Sequence, residues 1–174
     1  NVRTGAWCEF TNWDGRCIAS FRGRLFFGTK GGKVIEGYVT GLDQGAPYTG
    51  VHIPLFDDLG SPASIKVFKM ARPTVLSAID VICDMSIQLD YTVRLPPPPA
   101  AAVVESSSVW GGAIWGQAKW GGTRTKRIKQ DWQSAGGIGY AFAPALQVTS
   151  GSLQPLECEI VRIDVTFETA DIVT

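Results

Sequence analysis

Histidine is nearly absent from this chain of 174 residues, with His52 the only one. A Ser-His-Asp hydrolase needs its imidazole between an acid and an activated serine. No serine here lies in a Gly-x-Ser-x-Gly elbow, so triad hydrolysis has no support. The four cysteines, Cys8, Cys17, Cys83 and Cys158, form no Cys-x-x-Cys pair and have no histidine nearby, which removes the usual zinc pattern. Cys83 and Cys158 fall in apolar strand phases, as buried thiols do. A Cys8–Cys17 bridge would suit a hairpin in an oxidising compartment; all four are read as reduced. An excess of either charge is also missing, since 16 basic residues balance 16 acidic ones. The only basic cluster is Arg124, Lys126, Arg127 and Lys129, too short for a grip on nucleic acid through non-specific charge. No window approaches 18 uninterrupted apolar residues, so no membrane span is expected. The chain opens on Asn1 with no charged-then-apolar leader, and is expected to be processed, truncated or part of a longer protein.

Punctuation, in contrast, is plentiful: 20 glycines and 10 prolines argue against long helices. The clearest pattern covers residues 79–95. Ile79, Val81, Cys83, Met85, Ile87, Leu89, Tyr91, Val93 and Leu95 alternate with mostly polar residues, Ile82 alone breaking the polar set. A period of two is that of a half-buried strand, and at about 3.3 Å per residue the run would span roughly 56 Å. Such a strand must bend, bulge or serve two layers in turn. Its odd-numbered face is expected in the core.

Short strands are predicted at 6–10, 17–21, 25–29 and 33–39, with glycine turns between them. This meander resembles one blade of a propeller. A single blade cannot bury its own faces, and no second copy of it occurs in the chain. The turn-rich stretch 41–48 places a domain boundary after residue 44. Residues 45–174 then carry strands at 51–56, 64–72, 79–95, 126–132, 138–149 and 156–167. The strands at 64–72 and 79–95 are expected to pair as antiparallel neighbours. Pro73 should end, bulge or edge its strand, Gly136 and Gly137 should form a turn, and Pro144 should mark a break. Adjacent Ile160 and Val161 change the apolar phase, the mark of a β-bulge. The prediction is an all-β chain: an antiparallel, Ig-like β-sandwich preceded by a propeller-blade-like meander. A proline spacer and a Trp-Gly loop occupy 96–125.

Candidate chemistry is sparse. Asp80, Asp84 and Asp90 share one face of the predicted long strand, but at separations of about 13 and 20 Å. Glycosidase carboxylates stand about 5 to 10 Å apart, so solvated face charges are the expected role. Asp57, Asp58 and Gly60 lack the alternating ligands and closing glutamate of a calcium loop. Gly28, Gly31 and Gly32 precede no helix that could seat a phosphate. Trp110, Trp115 and Trp120 recur every five residues, each followed by glycine, a spacing that fits one face of neither helix nor strand. They are candidate subunit-interface residues or, as exposed indoles able to stack on sugar rings, ligand-binding residues.

Three stretches, GRLFFGTKGGKVIEGYVTGLDQGAPYTG, HIPLFDDLGSPASIKVFKMARPTVLS with the alternating run after it, and VWGGAIWGQAKWGG, together resemble the C-terminal part of tail proteins of double-stranded DNA bacteriophages. In these a propeller-like region leads into a β-sandwich, and the likeness extends over residues 5–174. It implies a virion component of the nozzle or hub kind, assembled in the host cytoplasm as a ring around the DNA channel. The implied partners are copies of itself and other tail proteins, with DNA passing without sequence recognition. The resemblance supplies no catalytic residues, so no enzyme activity, cofactor or metal is expected. The competing expectations are a carbohydrate- or receptor-binding sandwich at the distal end of a tail, and a sugar-binding module attached to a bacterial enzyme.

Overall fold

A computed structural model describes residues 5, 9, 11, 14–77, 81–101, 127–151, 156 and 158–170. Within these the chain is all-β, every strand pairing is antiparallel, and no helix occurs. It divides into two compact units, Asn1–Val39 and Thr40–Thr174.

The first unit is a meander of β1 (Gly15–Phe21), β2 (Arg24–Thr29) and β3 (Val34–Glu36) in that order. Arg22 (φ 50°) and Gly23 (φ 74°) make the two-residue turn between β1 and β2, and left-handed residues at both positions match the twist of the strands they join. Register places Ile18, Phe27 and Ile35 in one row and Ala19, Phe26 and Glu36 in the next, on the opposite face. Phe27 is buried, whereas β1 is exposed along its whole length. β3 is shorter than the predicted 33–39; beyond it Tyr38 takes φ 62°. Cys17 is a free thiol, so it is not bridged to Cys8. It lies opposite Gly28, where an added Cβ would come 2.7 Å from Cys17 Sγ. The strand predicted at 6–10 falls outside the continuous described stretches.

The second unit opens with the paired β4 (Leu42–Asp43) and β5 (Ala46–Pro47). Two larger sheets follow. In one, β7 (Ile65–Ser77) lies between β12 (Cys158–Ala170) on one side and both β9 (Arg127–Lys129) and β10 (Gln133–Gly139) on the other. In the second, β11 (Phe142–Thr149) lies between β6 (Thr49–His52) and β8 (Cys83–Leu89). One apolar cluster joins them: Ala71 and Val75 of β7, Val81 before β8, Cys83 and Met85 of β8, Ala135 of β10, and Leu146 and Val148 of β11. Burying a side chain such as Leu146 contributes about 1.5 to 3 kcal/mol. Phe68 stacks on Phe142 at 4.6 Å, extending the apolar contact towards one end of the sheets.

Several expectations are corrected. The run 79–95 is not one strand: β8 stops at Leu89, and the chain turns at Asp90 and Tyr91. Its odd-numbered face is core at Val81, Cys83 and Met85, but Tyr91 and Val93 are exposed. β8 does not pair with β7; the two lie in different sheets, and the long partner of β7 is β12. Gly136 and Gly137 form no turn but sit inside β10, at a register shift between Ser134 and Gly137. Space accounts for Gly137, since a Cβ there would meet Leu89 at 2.5 Å. The break predicted at Pro144 falls instead at Tyr140 and Ala141. The bulge expected at Ile160 and Val161 is present, with the β12 register shifting between Ile160 and Arg162.

The two prolines show how they are tolerated in central strands. Pro73 pairs with Ile163 of β12, but on the other side of β7 the β10 pairing ends at Ala71 and that of β9 begins at Val75. Pro144 pairs with Ile87 of β8, and on its other side β6 reaches only to Leu146 while Asp57 bridges Phe142. Each proline, lacking an N–H, therefore sits beside a gap in the second ladder.

Side chains also complete the free edge of β8. The Gln133 amide accepts from Met85 N–H at 2.8 Å through Oε1 and donates to the Cys83 carbonyl at 2.7 Å through Nε2. Lys129 Nζ donates to the Val81 carbonyl at 2.8 Å. An edge that would otherwise invite another strand is occupied by polar side chains from the opposite sheet.

Candidate functional site

Of the described residues singled out for chemistry, Asp57, Asp58 and Asp90 come to one end of the second unit, and the others lie apart. Trp110, Trp115, Trp120 and Asp80 lie outside the described residues. His52 is exposed on β6 opposite Leu146, and Asp84 is half-buried on β8 opposite Gln147. No group of three or more His, Cys, Asp or Glu side chains able to hold a metal occurs among the described residues.

One end of the second unit is nevertheless unusually well built. It comprises the 53–64 connection, the turn after β8 and the bend between β10 and β11. Asp57 and Phe142 exchange backbone hydrogen bonds in both directions, at 2.9 and 3.0 Å. Asp57 Oδ1 accepts from Leu59 N–H and Asp58 Oδ1 from Gly60 N–H, closing two successive side-chain turns. These bonds give the Asp57 and Asp58 carboxylates a turn-forming role in the loop.

Lys66, only 1% exposed, sends its ammonium into the same end. Nζ donates to the carbonyls of Ser61 (2.7 Å), Ser64 (3.1 Å) and Tyr140 (2.9 Å). An ammonium has three donors, and three carbonyls meet them. The lysine thus pins the 53–64 connection to the β10–β11 bend.

The turn after β8 is the third part. Thr92 N–H donates to the Leu89 carbonyl at 2.9 Å, and both central residues are left-handed, Asp90 at φ 48° and Tyr91 at φ 61°. Asn-Gly is the usual occupant of such a turn; a tyrosine there costs about 1 kcal/mol. Asp90 Oδ1 offsets part of this by accepting from the N–H groups of Tyr140 (2.8 Å) and Ala141 (3.1 Å). A Cβ on Gly139 would come within 3.1 Å of both Asp90 carboxylate oxygens, so a larger residue there would displace the Asp90 side chain from its bonds.

On this frame large apolar side chains face water. Leu55 is 93% exposed and Tyr91 76%, with Leu59 and Tyr140 also exposed. The Tyr91 ring rests against Phe56, centroids 5.0 Å apart. Asp57 and Asp90 are exposed beside them and Asp58 is half-buried, while the lysine of this end is buried. The chemistry available is that of a rigid apolar contact surface with an acidic rim.

The exposed Trp132 lies elsewhere. It precedes β10, is 43% exposed, and has the Arg72 guanidinium 4.7 Å from its ring centroid. Arg72 is held in turn by Asp164 through Nε (3.1 Å) and Nη2 (2.8 Å).

Compared with protein-family models, curated proteins and solved structures, the chain gives no match. Sequence reading missed the loop end because no motif marks it. The available signals were Leu55 ahead of an Asp57-Asp58-Leu59-Gly60 loop that itself carries a leucine, and an Asp-Tyr pair where alternation would place a continuing strand.

Proposed function

We propose that the chain is a non-catalytic structural component of a double-stranded DNA bacteriophage tail, a nozzle- or hub-type ring subunit in the DNA ejection conduit. Its location would be the virion after assembly in the host cytoplasm, and its partners copies of itself and other tail proteins. The tail assignment rests on the sequence resemblance. The observation that supports an assembly role is the exposed apolar surface in both units: Phe21 and Val34 on the meander, Leu55 and Tyr91 at the loop end. Large apolar side chains left facing water are suited to burial against a partner. The test is electron microscopy of the purified chain with mass measurement of the native particle. Annular particles of uniform subunit number are the expected result, and a monomer at every concentration refutes the ring.

Trp132 favours a second reading, a carbohydrate- or receptor-binding module at the distal end of a tail, because an exposed indole stacks well on a pyranose. Quenching of tryptophan fluorescence by oligosaccharides, lost in Trp132→Ala, would favour that reading over the conduit.

A further inference from the structure

Charge divides unevenly between the two units although it cancels overall. Residues 1–39 hold six basic and three acidic side chains, and residues 40–174 hold ten and thirteen, for net charges of +3 and −3. The two exposed apolar surfaces follow the same division. On the meander, strand register puts Phe21, Arg24, Phe26, Val34 and Glu36 on one face, where Arg24 and Glu36 form an ion pair and cancel. Val34 is 77% and Phe21 61% exposed, and the exposed Arg22 and Lys33 adjoin them. At the loop end of the second unit, Leu55, Leu59 and Tyr91 lie among Asp57, Asp58 and Asp90.

We infer that copies of this chain join head to tail, the Phe21–Val34 face of one copy covering the Leu55–Tyr91 loop end of the next. This rests on the ring reading above and specifies its contact. Complementary charge favours this pairing and disfavours the alternatives. Meander against meander sets basic rim against basic rim, and loop end against loop end sets aspartates against aspartates. A contact between two different patches is heterologous, and repetition of a heterologous contact closes into a ring when its rotation permits. The acidic end is preorganised for the task, since Lys66, Asp90 and the Asp57–Phe142 bridge hold it before any partner arrives.

The test uses the full chain and two variants that leave the core untouched. Phe21→Ser/Val34→Thr disables the meander face, and Leu55→Ser/Leu59→Asn disables the loop end, with asparagine chosen to accept the left-handed backbone at Leu59 (φ 54°). Sedimentation and native mass spectrometry are run on each alone and on an equimolar mixture, with circular dichroism melting to verify folding. Should the loop-end variant melt early, Leu55→Ser alone replaces it. The expected result is that the unaltered chain oligomerises and that 0.5 M salt weakens this about tenfold or more. Each variant alone should be monomeric, while the mixture forms a one-to-one dimer and stops, because only one intact face of each kind remains. Oligomers that persist in both variants, or a mixture that stays monomeric, overturn the head-to-tail contact and leave the ring reading standing. An unaltered chain that never associates overturns both.

Discussion

Lys66 is the residue on which the loop end depends. Its ammonium satisfies three carbonyls from two separate connections, and a methionine of similar length would leave all three without it. Lys66→Met is expected to cost about 1 to 3 kcal/mol in urea unfolding, since three part-buried hydrogen bonds are lost. Protease cleavage within 53–64 should accelerate with it. The thiols give a second test at this scale. Cys17 is exposed, Cys83 is buried, and burial pushes the half-buried Cys158 thiol up. In the folded chain Cys17 should react with a thiol reagent well before either of the others. For Cys158 the folded state favours the protonated form, so its contribution to stability is intact below the unfolded thiol value of about 8.5 and is lost as pH rises through the folded value. Stability should therefore fall with alkaline pH more steeply in the native chain than in Cys158→Ala, as measured by melts from pH 7 to 10.

At the scale of elements, legibility followed local pattern. The hairpin between β1 and β2 was readable from Arg22-Gly23-Arg24, and the β12 bulge from the adjacent apolar pair Ile160 and Val161, because both lie in short-range chemistry. The end of β8 was not readable. Alternation continues through Tyr91, Val93 and Leu95, and neither residue of the turn is glycine or asparagine. The partner of β7 was equally hidden, since nothing local distinguishes a neighbouring strand from one about ninety residues away, and close sequence favoured the wrong one. The prolines are hard to place from sequence for a related reason: whether one is tolerated depends on where the second ladder has its gap. That gap makes a contrast measurable. Pro73→Ala should change stability by less than about 1 kcal/mol. Val67→Pro, at a position paired with both Ile138 and Glu168, should cost about 2 kcal/mol or more through lost ladder bonds.

For the whole molecule, the division at Val39 and Thr40 carries its own expectation. The apolar cluster that joins the two larger sheets is drawn entirely from the second unit. A chain of residues 40–174 should keep a cooperative thermal transition and its strand content by circular dichroism. Residues 1–39 alone, with only three short described strands and β1 exposed throughout, should not fold stably. The all-β class was visible in composition and period. Of the candidate surfaces, the loop end was not, because it is assembled from three connections distant in sequence and held by groups that look ordinary one at a time.

The edge of β8 offers one more reading. A backbone ladder opens only as its strand separates, but a glutamine side chain can rotate away while both sheets stay paired. The Met85 amide, held by Gln133 Oε1, should therefore exchange its hydrogen by a low-energy local opening, faster than core amides bonded between strands. Gln133→Leu would leave that amide and the Cys83 carbonyl without the glutamine, costing about 1 to 3 kcal/mol, and Met85 exchange should quicken more than that of its neighbours. The molecule thus carries an intrinsic gauge of how firmly its two layers are closed, readable at a single amide.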